Sequence, residues 1–183
     1  MNERTLVAEP IDAESFAPFG EILDLQESEP VFQNPGLRSW RMGYEAEGAT
    51  ELMVIEFDEI PMTFDRIERH HNVSQCFLPL KGRPMVMVVA PKTGGEAPSA
   101  SSVRAFLVEA HQGILLHRSV WHALNRFPIG GSAVHALLTT AATQAELEAE
   151  RRGGPIPRLT DVHDFSTEET TFRIKIQPDV QAV

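Results

Sequence analysis

The 183-residue sequence predicts a mainly β fold: an antiparallel sandwich or barrel finished by one short helix and a tail strand. Three observations predict it. About nine short apolar runs recur before the helical signal, each of strand length. Turn signals built on Gly, Pro and Asn separate them, as in Asn34-Pro35-Gly36, Lys81-Gly82 and Pro128-Ile129-Gly130-Gly131. Helical patterning is sparse until residue 143 and plain just after it.

The elements follow in order. Thr5 to Pro10 reads as a short strand, and Asp12 to Gly20 as one helical turn ended by Pro18 and Gly20. Glu21–Leu25, Leu37–Tyr44, Leu52–Phe57 and Met62–His70 read as strands. Cys76–Leu80 and Met85–Ala90 flank the Lys81-Gly82 turn, and the second of these is apolar at every position. Pro91 to Ser102, rich in Gly, Ser, Ala and Pro, reads as the exposed loop of a long hairpin. Val103–Glu109, Gly113–His117, Trp121–Phe127 and Ala133–Thr140 complete the barrel. Thr143-Gln144-Ala145-Glu146 then forms a capping box, with Thr143 as N-cap, ahead of a helix that closes on Arg151 and Arg152. Near the end, Phe172, Ile174 and Ile176 alternate with Arg173 and Lys175, the pattern of a half-buried strand. The expected organisation is a barrel domain over residues 1–142 and an extension over 143–183, packed on the barrel or on a partner subunit.

Composition bounds the function. Apolar residues at 42% fit a folded domain of one core. A net charge of −10 repels phosphate backbones and argues against nucleic acid as a partner. No apolar run approaches the roughly 20 residues that span a bilayer. Met1-Asn2-Glu3-Arg4 opens no basic-then-apolar leader, and Cys76 has no second cysteine to pair with, so a reducing, cytoplasmic setting is expected. Phosphate loops, dinucleotide-binding glycine fingerprints, Gly-x-Ser-x-Gly elbows and His-Glu-x-x-His helices are all missing from the sequence.

Chemistry concentrates in two stretches. In Ile67 to Gly82, Glu68 and His70 are two apart and share one face of a strand, Gln75 adds an amide oxygen, and Lys81 adds a cation before a turn. Gly113 to Arg126 brings His117 and His122. Oxygen and imidazole donors together suit one divalent metal ion or a small acidic substrate. Arg69 and His71 have the opposite parity to His70 and are expected to face away from the site. His135 reads as barrel lining, while Cys76, Phe77, Trp121, Met85 and Met87 read as core.

Glu68-x-His70-x4-Gln75-x6-Gly82 resembles the first motif of the cupin superfamily, with Glu68 at its first His and Gln75 at its Glu. His122 falls on the His of the second motif, with Ser119 at a usual Gly. A closer resemblance adds to this one. Glu68-Arg69-His70, Gln75-x-Phe77-x-Pro79-Leu80-Lys81-Gly82, Val88-Val89-Ala90-Pro91, Arg104-Ala105-Phe106, Gln112-Gly113 and Val120-Trp121-His122 occur in the order and spacing of the ureidoglycolate lyase family, formerly called ureidoglycolate hydrolase. The sequence departs from that family at His71-Asn72-Val73, at Ala123-Leu124 and around Leu138-Thr139-Thr140.

The resemblance implies a cupin-type barrel, a double-stranded β-helix, acting as a homodimer in allantoin and purine catabolism. It implies a carbon–nitrogen lyase of the amidine-lyase type that splits ureidoglycolate into glyoxylate and urea. Glu68, His70, Lys81, His117 and His122 are the expected catalytic groups. Gln75 and Lys81 are the expected substrate contacts. Glu68, His70, Gln75 and His122 would be the ligands of any metal. Two other readings stay open: a non-catalytic cupin that binds a small carboxylate or ureido compound, and a metal-dependent cupin oxygenase or isomerase.

Overall fold

The computed structural model describes residues 2–177. Its strands are β1 Asn2–Pro10, β2 Gly20–Leu23, β3 Phe32–Asn34, β4 Leu37–Ser39, β5 Thr50–Phe57, β6 Thr63–Phe64, β7 Arg66–His70 and β8 Gln75–Lys81. They continue with β9 Met85–Ala90, β10 Arg104–Val108, β11 Gly113–Leu116, β12 Trp121–Ala123, β13 Phe127–Pro128, β14 Ala133–Thr140, β15 Thr160–Asp164 and β16 Thr170–Ile176. Two helices, α1 Ala13–Phe16 and α2 Ala141–Arg151, complete the described residues with two short 3-10 turns.

Two sheets face each other, consistent with the expected cupin-type barrel. The smaller runs β2-β11-β8-β14-β5. The larger runs β15-β7-β12-β9-β10-β1-β16-β6, with β13 attached to β9. Pairing is antiparallel except around β1, which runs parallel to both β10 and β16. β6 and β7 are separated only by Asp65, yet β6 ends the sheet order and β7 lies one strand in from the other end. The large sheet therefore curls back on itself and has two buried faces.

This curling explains why β9 lacks alternation. Met85, Met87 and Val89 enter the barrel core with Phe77, Phe106, Ile114 and Leu116. Val86, Val88 and Ala90 enter a second core with Trp121, Phe165, Phe172 and Ile174. A strand covered on both faces has no reason to alternate.

The tail belongs to the same sheet. β16 pairs with β1 from Asn2↔Thr170 to Ala8↔Ile176, and Phe172 stacks on Phe64 at 4.8 Å between centroids. β15, a strand that the polar sequence of this segment does not announce, pairs with β7. The expected boundary at 142/143 falls inside α2. The helix also starts earlier than the capping box predicts: Thr140 is the N-cap, without a side-chain cap bond. The Thr140 and Thr143 hydroxyls lie 2.9 Å apart and both engage the Asn72 amide, so they tie the helix to the turn after β7 instead of capping it. Glu146 accepts from the backbone N–H groups of Arg158 and Leu159 and aims the tail towards β7. None of the helices is long and apolar enough to cross a membrane among the described residues.

Candidate active site

The barrel interior gathers Glu68, His70 and His122. Register does this. His122 on β12 pairs with Glu68 on β7, and parity puts His70 on the same inward face. One potential ligand atom from each of the three lies within 4.8 Å of the others. Glu68 Oε1 is 3.8 Å from His70 Nε2 and 3.9 Å from His122 Nδ1. The imidazole side chains are 2% exposed and the carboxylate 13% exposed, so Glu68 is the member that meets solvent.

The turn between β11 and β12 helps set this geometry. Ser119 takes φ 61°, the left-handed region that favours Gly, and its N–H donates to the His70 carbonyl at 2.9 Å. On the other side, His70 Nδ1 lies 2.8 Å from the Thr160 hydroxyl of β15.

Arg126 joins the group, although strand parity and motif spacing do not single it out. Its guanidinium sits 4.8 Å over the Phe77 ring, with Nη1 donating to the Ala123 carbonyl at 2.5 Å and to the Asn125 carbonyl at 3.2 Å. Nη2 is 3.4 Å from His122 Nδ1. The signal was present: Arg126 is the one Lys, Arg, Asp or Glu between Trp121 and Pro128. A cation there must be buried or must break the strand run.

Electrostatics separate the groups by role. Burial pushes the Glu68 carboxyl up to about 7, with Arg126 opposing. Burial, then the nearby Arg126 charge, pushes His70 down to about 3 and holds His122 well below the usual imidazole range. Burial also lowers Arg126 to about 10, and Glu68 opposes that shift. Near neutral pH the site therefore holds two neutral imidazoles, a permanent cation and a carboxyl poised between its two states.

Several buried polar atoms on this side lack hydrogen-bond partners among the described residues: His70 Nε2, His122 Nε2, Arg126 Nε, Gln75 Oε1, His135 Nδ1 and Thr139 Oγ1. An unpartnered buried donor or acceptor costs about 1–3 kcal/mol. A cluster of them marks a place built for a ligand. Gln75 opens β8 with the inward parity of Phe77. His135 packs its ring at 5.8 Å from Phe57.

The other expected site residues lie elsewhere. Lys81 is exposed at the end of β8, where Gly82 turns the chain at φ 118°. His117 is half-buried, with Nε2 3.5 Å from the Glu21 carboxylate, in a cleft shared with Glu45, Ser74, Lys92 and Arg118. Arg69 does face away from the barrel interior, but towards the second core rather than water. It is 5% exposed, bonded through Nε and Nη2 to Asp161, and stacked 4.5 Å over Trp121. Cys76 is buried, and burial raises its thiol.

The ureidoglycolate lyase family model matches residues 3–150. A Pseudomonas fluorescens protein named ureidoglycolate lyase is 39% identical over 174 residues, covering 91% of this chain and 95% of the relative. A Pseudomonas entomophila protein of the same name gives the same figures. One from Pseudomonas syringae pv. tomato is 35% identical over 186 residues, covering 97% of this chain and 98% of the relative.

The chain belongs to the ureidoglycolate lyase family. Glu68, His70, Gln75 and His122 lie within the matched segment, as does Arg126. Thr160, which touches His70, lies beyond it.

Proposed function

We propose that this protein cleaves ureidoglycolate to glyoxylate and urea, with Glu68, His70 and His122 as the reacting groups and Arg126 as the substrate anchor. The observation that carries this reading is the buried acid–base triad beside an incompletely bonded guanidinium, in a chain of this family. The reaction makes it a carbon–nitrogen lyase of the amidine-lyase type, serving purine and allantoin breakdown.

The substrate carries a hydroxyl, a carboxylate and a urea nitrogen on one carbon. A neutral imidazole, His70 or His122, accepts the hydroxyl proton. The oxygen lone pair closes to a carbonyl and the carbon–nitrogen bond breaks. Protonated Glu68 delivers its proton to the departing urea nitrogen. The site is left with an imidazolium and a carboxylate about 4 Å apart, so the proton returns and the starting state is restored. Arg126 offers its Nε–H to the substrate carboxylate, the task expected of Lys81. The Gln75 amide oxygen accepts from a ureido N–H. In this reading His117 and Lys81 do not touch the reacting carbon.

Glu68, His70 and His122, with Gln75 as a further oxygen donor, could hold one divalent ion. Such an ion would polarise a substrate oxygen as a Lewis acid. Arg126 and a substrate carboxylate cancel when Glu68 is protonated, whereas a divalent ion would ionise Glu68 and leave one net positive charge beside the guanidinium.

We also propose a homodimer, in the cytoplasmic setting that a lone cysteine suits. The outer face of the small sheet supports it. Leu52, Val54, Leu78 and Leu80 are exposed there, and Val54, Ala136 and Leu78 align across β5, β14 and β8. β5 is also the edge of that sheet. An exposed apolar edge invites pairing. Val54→Lys with Leu78→Lys should then halve the mass measured by sedimentation, and a monomeric native protein would remove the dimer.

Purified protein given ureidoglycolate should release glyoxylate and urea in equal amounts without oxygen uptake. Binding without product would select a non-catalytic carrier, and oxygen uptake an oxygenase. Undiminished turnover after chelation assigns the chemistry to the side chains. Loss restored by one equivalent of Mn²⁺ or Zn²⁺ assigns it to a bound ion.

A further inference from the structure

The tail strand β15 does more than cover an edge. Thr160 pairs directly with His70, so both side chains face the barrel interior. The Thr160 hydroxyl lies 2.8 Å from His70 Nδ1, and Thr160 is 4% exposed. The next pair, Asp161 and Arg69, faces the other way and carries an ion pair at 2.8 Å. A slip of one residue would bring the Asp161 carboxylate to the imidazole. Three further contacts hold the register: the His71 N–H donates to the Leu159 carbonyl, and the Glu146 carboxylate takes the N–H groups of Arg158 and Leu159.

We propose that Thr160 is a positioning residue of the active site: its hydroxyl accepts from His70 Nδ1–H and so presents the Nε2 lone pair to Glu68 and the substrate. This rests on His70 acting through Nε2 as base or ligand, as read above. His70 Nε2 has no hydrogen-bond partner among the described residues, so the Thr160 hydroxyl at Nδ1 is the partner that can bias the tautomer. Residues beyond the family match at 3–150 thereby enter the site.

A hydroxyl is the functional element, so the variants separate it from shape. Thr160→Val keeps shape and loses the hydroxyl. Thr160→Ser keeps the hydroxyl. Long-range ¹H–¹⁵N spectra of the ligand-free protein distinguish the protonated from the unprotonated ring nitrogen of each His. We expect native His70 to carry its proton on Nδ1, Thr160→Val to show a mixture of both tautomers, and Thr160→Ser to restore the native signal. With ureidoglycolate, kcat should fall about 10- to 100-fold in Thr160→Val with little change in KM, the scale typical of losing a group that orients a ligating His. Should Val disturb the strand, Thr160→Ala gives the same comparison. A native proton on Nε2, or a His70 signal unchanged in the hydroxyl-free variants, would overturn the proposal. The spectra need no substrate, so a wrong substrate assignment fails the turnover assay and leaves this test standing.

Discussion

Arg69 and Arg126 are both buried to 5% exposure, on opposite faces of the same large sheet, and they teach opposite things. Arg69 spends its guanidinium on the protein. Nε and Nη2 bond Asp161, Nη1 bonds the Thr93 carbonyl and hydroxyl, and the plane stacks on Trp121, whose Nε1–H also reaches Thr93. Among the described residues Arg126 leaves Nε without a partner, beside two imidazoles whose Nε2 atoms also lack one. A satisfied buried cation locks a fold. An unsatisfied one waits for an anion.

The same contrast holds for the two cores. The second core closes on stacked and edge-to-face rings of Phe64, Phe165 and Phe172. The barrel core carries Glu68, His70 and His122 within the same wall that holds Met87 and Val89. Removing one of the triad breaks the contrast most sharply. His70→Ala or His122→Ala should lower kcat by about 10²–10⁴-fold, the range of a general acid or base. Thermal unfolding should shift only modestly, because losing a buried imidazole with an unpartnered Nε2 offsets part of the cost of the cavity left behind. Full activity in both variants would remove this site from consideration.

Arg126→Met comes next. It should lower kcat/KM by about 10- to 150-fold, the equivalent of 1.5–3 kcal/mol for a hydrogen bond to a charged group. Glyoxylate affinity by calorimetry should fall in parallel. Stability should change less than for Arg69, since removing an incompletely paired buried charge offsets the loss of its bonds to the Ala123 and Asn125 carbonyls. Arg69→Met should do the reverse, with kcat preserved and about 1–3 kcal/mol lost. The loss stays modest because Asp161, at 44% exposure, can return to solvent. Two arginines with the same phenotype would dissolve the distinction.

Much of this was legible in the sequence, and the part that was not has a physical reason. Glu68 and His70 share a face because strands have period two, which the sequence states outright. The same rule correctly turned Arg69 outward from the barrel, but it could not say that a second core lies there. That core is closed by Phe64 of β6, by Phe165 just after β15 and by Phe172 and Ile174 of β16, which approach from distant parts of the chain. β15 reads as Thr-Asp-Val-His-Asp, too polar to announce a strand, because one face meets the site and the other meets Arg69. The helix start was misplaced since a local capping pattern competes with tertiary use of the same threonines by Asn72. Lys81 and His117 match the chemistry in type but not in place.

The pH profile sharpens the contrast within the triad. In the proposed reaction Glu68 is the acid and must be protonated, and burial pushes its carboxyl up to about 7. Its protonated fraction falls as pH rises, so kcat/KM should decline above about 7 with unit slope. His70 must be neutral, and at about 3 it is neutral throughout that range, so no acidic limb near 6 should come from it. Glu68→Gln should remove the alkaline limb along with most of the rate. A profile that rises with pH through 7 would assign Glu68 the part of base.

The smallest effect is expected at Lys81, and it tests the comparison from outside. Lys81 is a cation with a turn beside it and solvent around it. An ammonium in water is screened within about 8–10 Å at physiological salt, and exposed pairs are worth about 0–1 kcal/mol. Arg126 acts in a buried site where the same charge is screened far less. Lys81→Met should therefore change glyoxylate affinity and kcat/KM by about fivefold at most, with whatever effect remains fading as salt is added. If Lys81→Met instead matches Arg126→Met in size and resists salt, the carboxylate is held at the end of β8, and Arg126 is a structural cation like Arg69.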